Sequence, residues 1–459
     1  MISSRIFGFF NRQQTKGSVP KIITRIPPSP TGNFNIGTAR LALFNYLFTR
    51  KFDGELILRF EDTDKERSKK EFETNIIESL KWLGINWDNE KIYRQSERTD
   101  TYKIYINKMI EEGSAYISKE KEVKEGGRSE VIRFKNPNKE ITFEDKIRGE
   151  ITFDTTDLGD FIIAKSLDEP LYHLTVVVDD HEMKITHVIR GDDGISNTPR
   201  QILIQEAIGA SRPIYTHLPM VLGKDKSKLS KRHGAKSILE FKEEGYLPEA
   251  IINQLALLGW NPGTEQEVFT IEQLTSAFDL DKVQKGGAIF DSEKLDWFNR
   301  EHLKLIPRHV LEAHISQELE AEIPQEKLEK ITPIILERIA KISDVKEIVK
   351  NEFSFFFIAP EYEKEKLLWK KAEDLSEAKT HLNFVKEKIN SIDDSNFSQD
   401  IIKESVWEYA TEQGRGDVLW PLRYALSGQD KSPDPFEIAS IIGKKETLSR
   451  IKSAIDKIG

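Results

Sequence analysis

KIITRIPPSPTGNFNIGTARLALFNYLFTRKFDGELILRFE (residues 21–61) decides how this chain folds. Residues 21–26 form a short run rich in isoleucine and threonine, as in a buried strand. PPSPTG interrupts that run. From residue 36 to 51 the apolar side chains recur at helical spacing, with Leu43, Phe44, Leu47 and Phe48 on one face. GELILRFE (54–61) then reads as a second strand. Strand, helix and strand in this order predict a right-handed crossover in a parallel sheet. Ligands of such sheets bind beyond the C-terminal strand ends, where PPSPTG and Glu61 both fall. The glycine-bearing turn into the helix also offers backbone N–H groups and a helix N-terminus to a phosphate.

A second segment complements the first. KLSKR (228–232) places Lys228, Lys231 and Arg232 on a loop that also carries Lys224, Lys226 and Lys236. Point-charge lysines on a loop suit a triphosphate whose charge must be neutralised during attack at the α-phosphorus. Together the two segments resemble the paired HIGH and KMSKS signatures of class I aminoacyl-tRNA synthetases. The resemblance narrows to glutamyl-tRNA synthetase and runs from about residue 21 to the C-terminus. It is carried by TRIPPSPTGNFNIGTARLALFNYLF, LRFEDTDKERS, YRQSER, LYHLTVVVDDHEMKITHVIRGDDGISNTPRQ, KLSKR, LLGWNPG, GGAIFDSEKLDWFN and VLWPLRYALSG, in that order.

The resemblance implies an α/β Rossmann-like class I catalytic domain with an inserted α+β connective domain, followed by an all-α C-terminal anticodon-binding region. The expected boundaries are an N-terminal extension (1–20), the first half of the catalytic domain (21–101), the connective, acceptor-binding insertion (102–168), the second half with the KLSKR loop (169–236), a helical stem-contact domain (237–305) and the anticodon-binding domain (306–459). Short strands are expected at 131–134, 150–153 and 161–165, and helices at 73–83 and from near Ser343 and Ser376. The helical C-terminal third favours the full synthetase over trimmed paralogues that lack it.

The implied reaction joins L-glutamate to tRNA(Glu) with ATP, through glutamyl-adenylate and transfer to the 3′-terminal adenosine. Arg25, Ser29, Glu61, Tyr172 and Arg190 match the family's glutamate-binding positions. Arginine forks recognise carboxylates in a way that lysine does not. Ser29, Gly37, Thr38, Asp193, Lys228 and Lys231 match its ATP positions, and Asn35, Thr38, Lys228 and Lys231 its catalytic signature. Magnesium is expected to arrive with ATP. No metal ligands are expected at Asp179-Asp180-His181, for which the resemblance implies a structural or tRNA-proximal role. Asn35 departs from the family, which has histidine there; an asparagine offers an N–H donor but cannot become a cation. Pro27 stands where many relatives have alanine, and it lacks an N–H. Three rivals are weighed: an enzyme that also charges tRNA(Gln) with glutamate, a catalytically impaired tRNA-binding paralogue, and a small-molecule adenylyltransferase. The last leaves the helical C-terminal third unexplained.

Composition sets outer limits. The 459 residues contain no cysteine, which excludes disulfides and zinc–thiolate sites and suits a reducing cytosol. No apolar run approaches the ~18 residues of a membrane span. The net charge of −9 argues against a nucleic-acid partner only if charge is evenly spread. It is not: residues 1–52 hold eight Lys/Arg and no acid, and residues 224–236 hold six against one Asp. Both cationic islands coincide with the phosphate-binding motifs, and an acidic body with a basic active-site rim is compatible with tRNA binding. The resemblance implies tRNA(Glu), L-glutamate and ATP as the partners of a monomeric, cytoplasmic enzyme. The acid-free residues 1–20, with Arg5, Arg12 and Lys16, fit a frayed bacterial extension or a misassigned start codon better than an organellar presequence.

Overall fold

Strand β1 (Ile23–Ile26) leads through helix α1 (Ile36–Lys51) to strand β2 (Glu55–Phe60), and β1 and β2 pair in parallel, as the crossover predicts. The structure is a computed structural model; it describes residues 21–120, 129–229, 236–319, 323–369 and 374–459. The described residues divide into two units between Asn299 and Arg300.

The turn out of α1 needs glycine, because a Cβ on Gly54 would sit 2.5 Å from the Ile22 carbonyl oxygen. Helix α2 (Lys70–Trp82) starts at Lys70 rather than at residue 73: Glu73 lies inside its first turn, bonded to Lys70 and Arg94. Strand β3 (Tyr93–Arg94) completes the order β1-β2-β3. Alternation along β2 splits its side chains between two cores. Leu56, Leu58 and Phe60 pack with α1, while Ile57 joins the core on the opposite face. Arg59 shares the parity of Ile57, which matters for the site below.

After α3 (Thr99–Glu111) come β4 (Ala115–Lys119), β5 (Glu130–Phe134), β6 (Glu140–Asp145), β7 (Gly149–Asp154), β8 (Phe161–Ser166) and β9 (Glu169–Pro170). Then follow α4 (Tyr172–Glu182), β10 (His187–Gly191), α5 (Thr198–Ile208), β11 (Ile214–Leu218) and the short β12 (Val221–Leu222). The segment expected to insert at 102–168 divides its strands between two sheets. One sheet runs β4-β5-β8-β9, whereas the β6–β7 hairpin joins β11 and β10 in the order β10-β11-β6-β7. The sequence reading passed over β6, although its residues alternate strictly between exposed and buried, with Ile141, Phe143 and Asp145 inward.

β10 lies beside β1, where the Thr186 N–H donates to the Ile23 carbonyl at 2.9 Å. From that junction the chain winds outward both ways, through α1 to β2 and through α5 to β11. The junction of β1 and β10 is therefore the topological switch point, where such sheets open a crevice. The unit continues through α6 (Ile238–Glu243), α7 (Pro248–Leu257), α8 (Ile271–Ala277), β13 (Ala288–Ile289), which pairs with β12, and the start of α9 (Ser292–Leu303). Capping boxes at Ser237/Glu240 and Thr270/Gln273 fix the starts of α6 and α8.

Among the described residues the second unit contains helices and no strand: α10 (Arg308–Leu319), α11 (Gln325–Leu336), α12 (Val345–Glu352), α13 (Leu375–Asn390), α14 (Gln399–Gln413), α15 (Arg415–Ser427), α16 (Pro435–Ile442) and α17 (Lys444–Ile458). Asp374 caps α13 by accepting from Ser376 N–H, close to the start expected from sequence. Its core includes Leu382, Val385, Val406, Leu422, Phe436 and Ile451. Buried Arg450 ties this core together by donating from Nη1 to the carbonyls of Phe355 and Leu426, each at 2.7 Å.

Candidate active site

The ends of β1 and β10 border a cavity of about 230 Å³ lined by Arg25, Thr38, Glu61, Tyr172, Arg190 and Asp193, with Ile26, Pro27, Leu41, Ala42, Asn45 and Ile189 among its other walls. Six residues singled out from sequence thus meet at one crevice. A second cavity of about 680 Å³ shares Glu61 and Tyr172 with it and adds Ser29. Asn35, Gly37 and Lys228 line neither cavity. Lys231 lies outside the described residues.

Beneath the cavity is a buried, balanced ion cluster. Arg59 is fully buried and reaches three carboxylates: Asp180 at 2.8 Å, Glu61 at 3.3 Å and Asp179 at 3.7 Å. Arg25 donates from Nε to both oxygens of Asp180, at 3.3 and 3.4 Å. Asp179 also accepts from Arg98 at 2.7 Å, Tyr102 at 2.9 Å and Gln95 at 3.0 Å. Arg25, Arg59 and Arg98 so balance Glu61, Asp179 and Asp180. Buried charges persist only when paired in this way.

Two members of the cluster, Arg25 and Glu61, line the cavity. Arg25 Nη1 is buried and has no hydrogen-bond partner among the described residues. Such a donor is costly unless something accepts from it. Glu61 is the second: burial pushes its carboxyl up, against the pull of Arg59 and Arg25. Asp180, although equally desolvated, is held below the usual carboxylate range by Arg25 and Arg59. Of these two acids Glu61 is therefore the one that gains more from an added cation. Asn45, which also lines the cavity, has an unpartnered Oδ1, while its amide nitrogen donates to the Leu41 carbonyl at 2.8 Å and the Ile189 carbonyl at 3.0 Å.

Arg190 is held more tightly than a free fork. Nε donates to His217 Nε2 at 3.0 Å, Nη1 to Gln201 at 2.8 Å, and Nη2 to Thr198 at 2.8 Å and the Gly194 carbonyl at 3.1 Å. Of the five N–H groups of a guanidinium, one on Nη1 remains. Arg190 therefore has one N–H to offer a ligand rather than a free pair.

At the α1 N-terminus, the Asn35 side-chain oxygen accepts from Thr38 N–H at 3.1 Å and from the Thr38 hydroxyl at 3.3 Å. It is the helix N-cap. The start of α6 meets the same place. Ser237 bridges to Asn35, and the Ile238 N–H donates to the Phe34 carbonyl at 2.8 Å. Backbone contacts thus join the start of α6 to the start of α1. In the KLSKR segment, exposed Lys228 bridges to Leu222.

Sequence reasoning missed Arg59 and His217, and saw in Asp179 and Asp180 no specific partner. A signal existed for Arg59, which stands two residues before Glu61 and so on the same face of β2. Asp180 needed a buried cation, and that demand appears only once α4 is packed on the sheet. Among the described residues no group of three or more His, Asp or Glu could hold a metal ion. No described helix is long and apolar enough to cross a membrane.

The chain is similar to known proteins along most of its length. The family described as tRNA synthetases class I (E and Q), catalytic domain, matches residues 21–124 and 117–297, and an anticodon binding domain matches residues 303–455. The glutamate–tRNA ligase of Carboxydothermus hydrogenoformans is 40% identical across 93% of this chain and 98% of its own. That of Aquifex aeolicus is 40% identical across 95% and 99%. The crystal structure of a glutamate tRNA ligase from Elizabethkingia meningosepticum in complex with its amino acid superposes with a TM-score of 0.86 at 34% identity, covering 96% of this chain and all of that one.

Proposed function

The chain belongs to the glutamate–tRNA ligases of class I, and we propose that it joins L-glutamate to tRNA(Glu) through glutamyl-adenylate. One observation supports the choice of amino acid most strongly: a crevice with two arginines and one buried acid, in which Arg25 Nη1 lacks a partner among the described residues. Glutamate brings two carboxylates and one ammonium. Arg25 and the remaining Arg190 N–H would take a carboxylate each or share one, Glu61 would take the ammonium, and the Tyr172 hydroxyl and Ser29 would complete the shell. The apolar wall of Ile26, Leu41, Ala42 and Ile189 suits a planar base. Thr38, Gly37 and Asp193 would meet the nucleotide.

Activation needs no covalent enzyme intermediate. A glutamate carboxylate oxygen attacks the α-phosphorus of ATP, the bond to pyrophosphate breaks, and the acyl group later passes to the terminal adenosine of tRNA. The protein contributes position and charge. Lys228 and Lys231 would neutralise the departing pyrophosphate, and magnesium carried in with ATP would use phosphate oxygens and water. A chain without cysteine suits the reducing cytoplasm, where the enzyme is proposed to work as a monomer. Exchange of labelled pyrophosphate into ATP tests the proposal: it should require glutamate with tRNA present. Exchange that proceeds equally without glutamate, or none at all, would contradict it. The impaired-paralogue alternative predicts tRNA binding without exchange.

Asn35 gives a sharper prediction. Its oxygen serves the helix, so only its N–H groups are left for a phosphate. Asn35→His should destabilise the unit by about 1 kcal/mol through the lost cap. The adenylation rate should hold or rise, up to roughly fivefold, because an imidazolium shares phosphate charge. Single-turnover adenylation and urea unfolding read the two effects separately. A large rate loss with unchanged ATP affinity would mean that asparagine is not a weakened histidine here.

A further inference from the structure

Behind Arg190 runs a second buried chain of hydrogen bonds that none of the chemistry above uses. His217, on β11, is fully buried, and so is Asp145, the last residue of β6. His217 Nδ1 lies 2.7 Å from Asp145 Oδ2, and the His217 backbone N–H donates to the same oxygen at 3.0 Å. The other oxygen, Oδ1, accepts from the backbone N–H groups of Ile147 and Arg148 at 3.0 and 2.8 Å, which closes the β6–β7 turn. His217 Nε2 accepts from Arg190 Nε.

These contacts allow one protonation state. Arg190 Nε always carries its proton, so His217 Nε2 must be a bare acceptor. The Nδ1 proton then points to Asp145, which accepts it. Burial, aided by Arg190, lowers the imidazole pKa against the opposing pull of Asp145, which agrees with a neutral ring. The guanidinium is confined on its other side as well, since a Cβ on Gly194 would lie 2.5 Å from Arg190 Nε.

We propose that Asp145 and His217 are a positioning pair that sets the orientation of Arg190 toward the substrate carboxylate, so that the β6–β7 hairpin takes part in selecting the amino acid. The pair touches no substrate itself. It acts by fixing the tautomer of His217, and hence the acceptor that holds Nε. The proposal rests on Arg190 as a carboxylate contact, and its test separates the two.

Three variants and one control are compared for the Michaelis constants of glutamate and ATP in pyrophosphate exchange. Asparagine at 217 reaches only to the level of Nδ1 and keeps the bond to Asp145; glutamine reaches to the level of Nε2 and keeps an acceptor for Arg190. His217→Asn should therefore raise the glutamate constant roughly tenfold or more, with the ATP constant within about twofold. His217→Gln should stay within about threefold of the parent. Asp145→Asn turns an amide donor toward either the turn or His217, and should likewise raise the glutamate constant alone. This variant decides the matter if His217→Asn does not fold. A merely structural role would move both substrate constants together, or affect the two His217 variants alike, and either result overturns the proposal. So does an unchanged glutamate constant in both His217→Asn and Asp145→Asn while Arg190→Gln raises it. If Arg190→Gln itself leaves the glutamate constant unchanged, Arg190 is not a carboxylate contact, and the failure lies with the site rather than with the pair.

Discussion

Arg59→Met is expected to destabilise the N-terminal unit by about 3–5 kcal/mol, the cost of leaving buried charge without its partner. The side chain is fully buried and touches Asp179, Asp180 and Glu61, so its removal leaves three desolvated acids with only Arg25 and Arg98 near them. The acids would respond by taking up protons, and glutamate activation should disappear because Glu61 would no longer be an anion. Arg59→Lys keeps the charge but supplies a point donor in place of a fork, and should fall between parent and Met variant. Adding Asp180→Asn to Arg59→Met should recover part of the loss by removing one orphaned charge. Urea unfolding followed on the first transition measures all four proteins. A Met variant within about 0.5 kcal/mol of the parent, the range of ordinary surface changes, would show that the cluster does not depend on Arg59.

Arg25→Gln should raise the glutamate Michaelis constant ~10- to 100-fold and leave that of ATP nearly unchanged. The range corresponds to ~1.5–3 kcal/mol for a charge-assisted hydrogen bond. Asp180 keeps its 2.8 Å partner, Arg59, so the fold should tolerate the change better than Arg59→Met. Steady-state exchange with each substrate varied in turn reads the split. A parallel rise in both constants would remove Arg25 from the amino-acid pocket and make its role structural.

The parts of this protein legible in the sequence were those fixed by local pattern. The β1–α1–β2 crossover follows from a strand run, a glycine-bearing turn and a helical repeat within residues 21–61, and its predicted site is where the cavity lies. Six residues of the expected site line that cavity because the motifs carry them to the C-terminal strand ends. What stayed hidden depends on contacts between distant segments. Arg59 was read as one more residue of a strand, since nothing local says that Asp179 and Asp180 will be buried against it. The bonds that occupy most of the Arg190 fork are not legible locally, since its four partners come from β11, α5 and the turn before α5. Strand β7 is expected at 150–153, but its partner β6 is not, because β6 is rich in acids and the inward place of Asp145 beside Tyr215 of β11 depends on a distant segment. Asn35 shows the reverse case. The sequence marks it as a departure from the family, and only the folded helix gives it a second task as a cap.

The most direct test of the two-arginine, one-acid cavity is the charging of purified tRNA(Glu) with a panel of amino acids: glutamate, glutamine and aspartate. A site built to pair a carboxylate rejects an analogue that leaves its buried cation unmatched far more strongly than one that differs by a methylene. Glutamate should be attached with a kcat/KM at least ~100-fold above glutamine and well above aspartate, the methylene-shortened analogue. Charging of glutamine at a rate comparable to glutamate would contradict the assignment of Arg25 and Arg190 to carboxylate recognition.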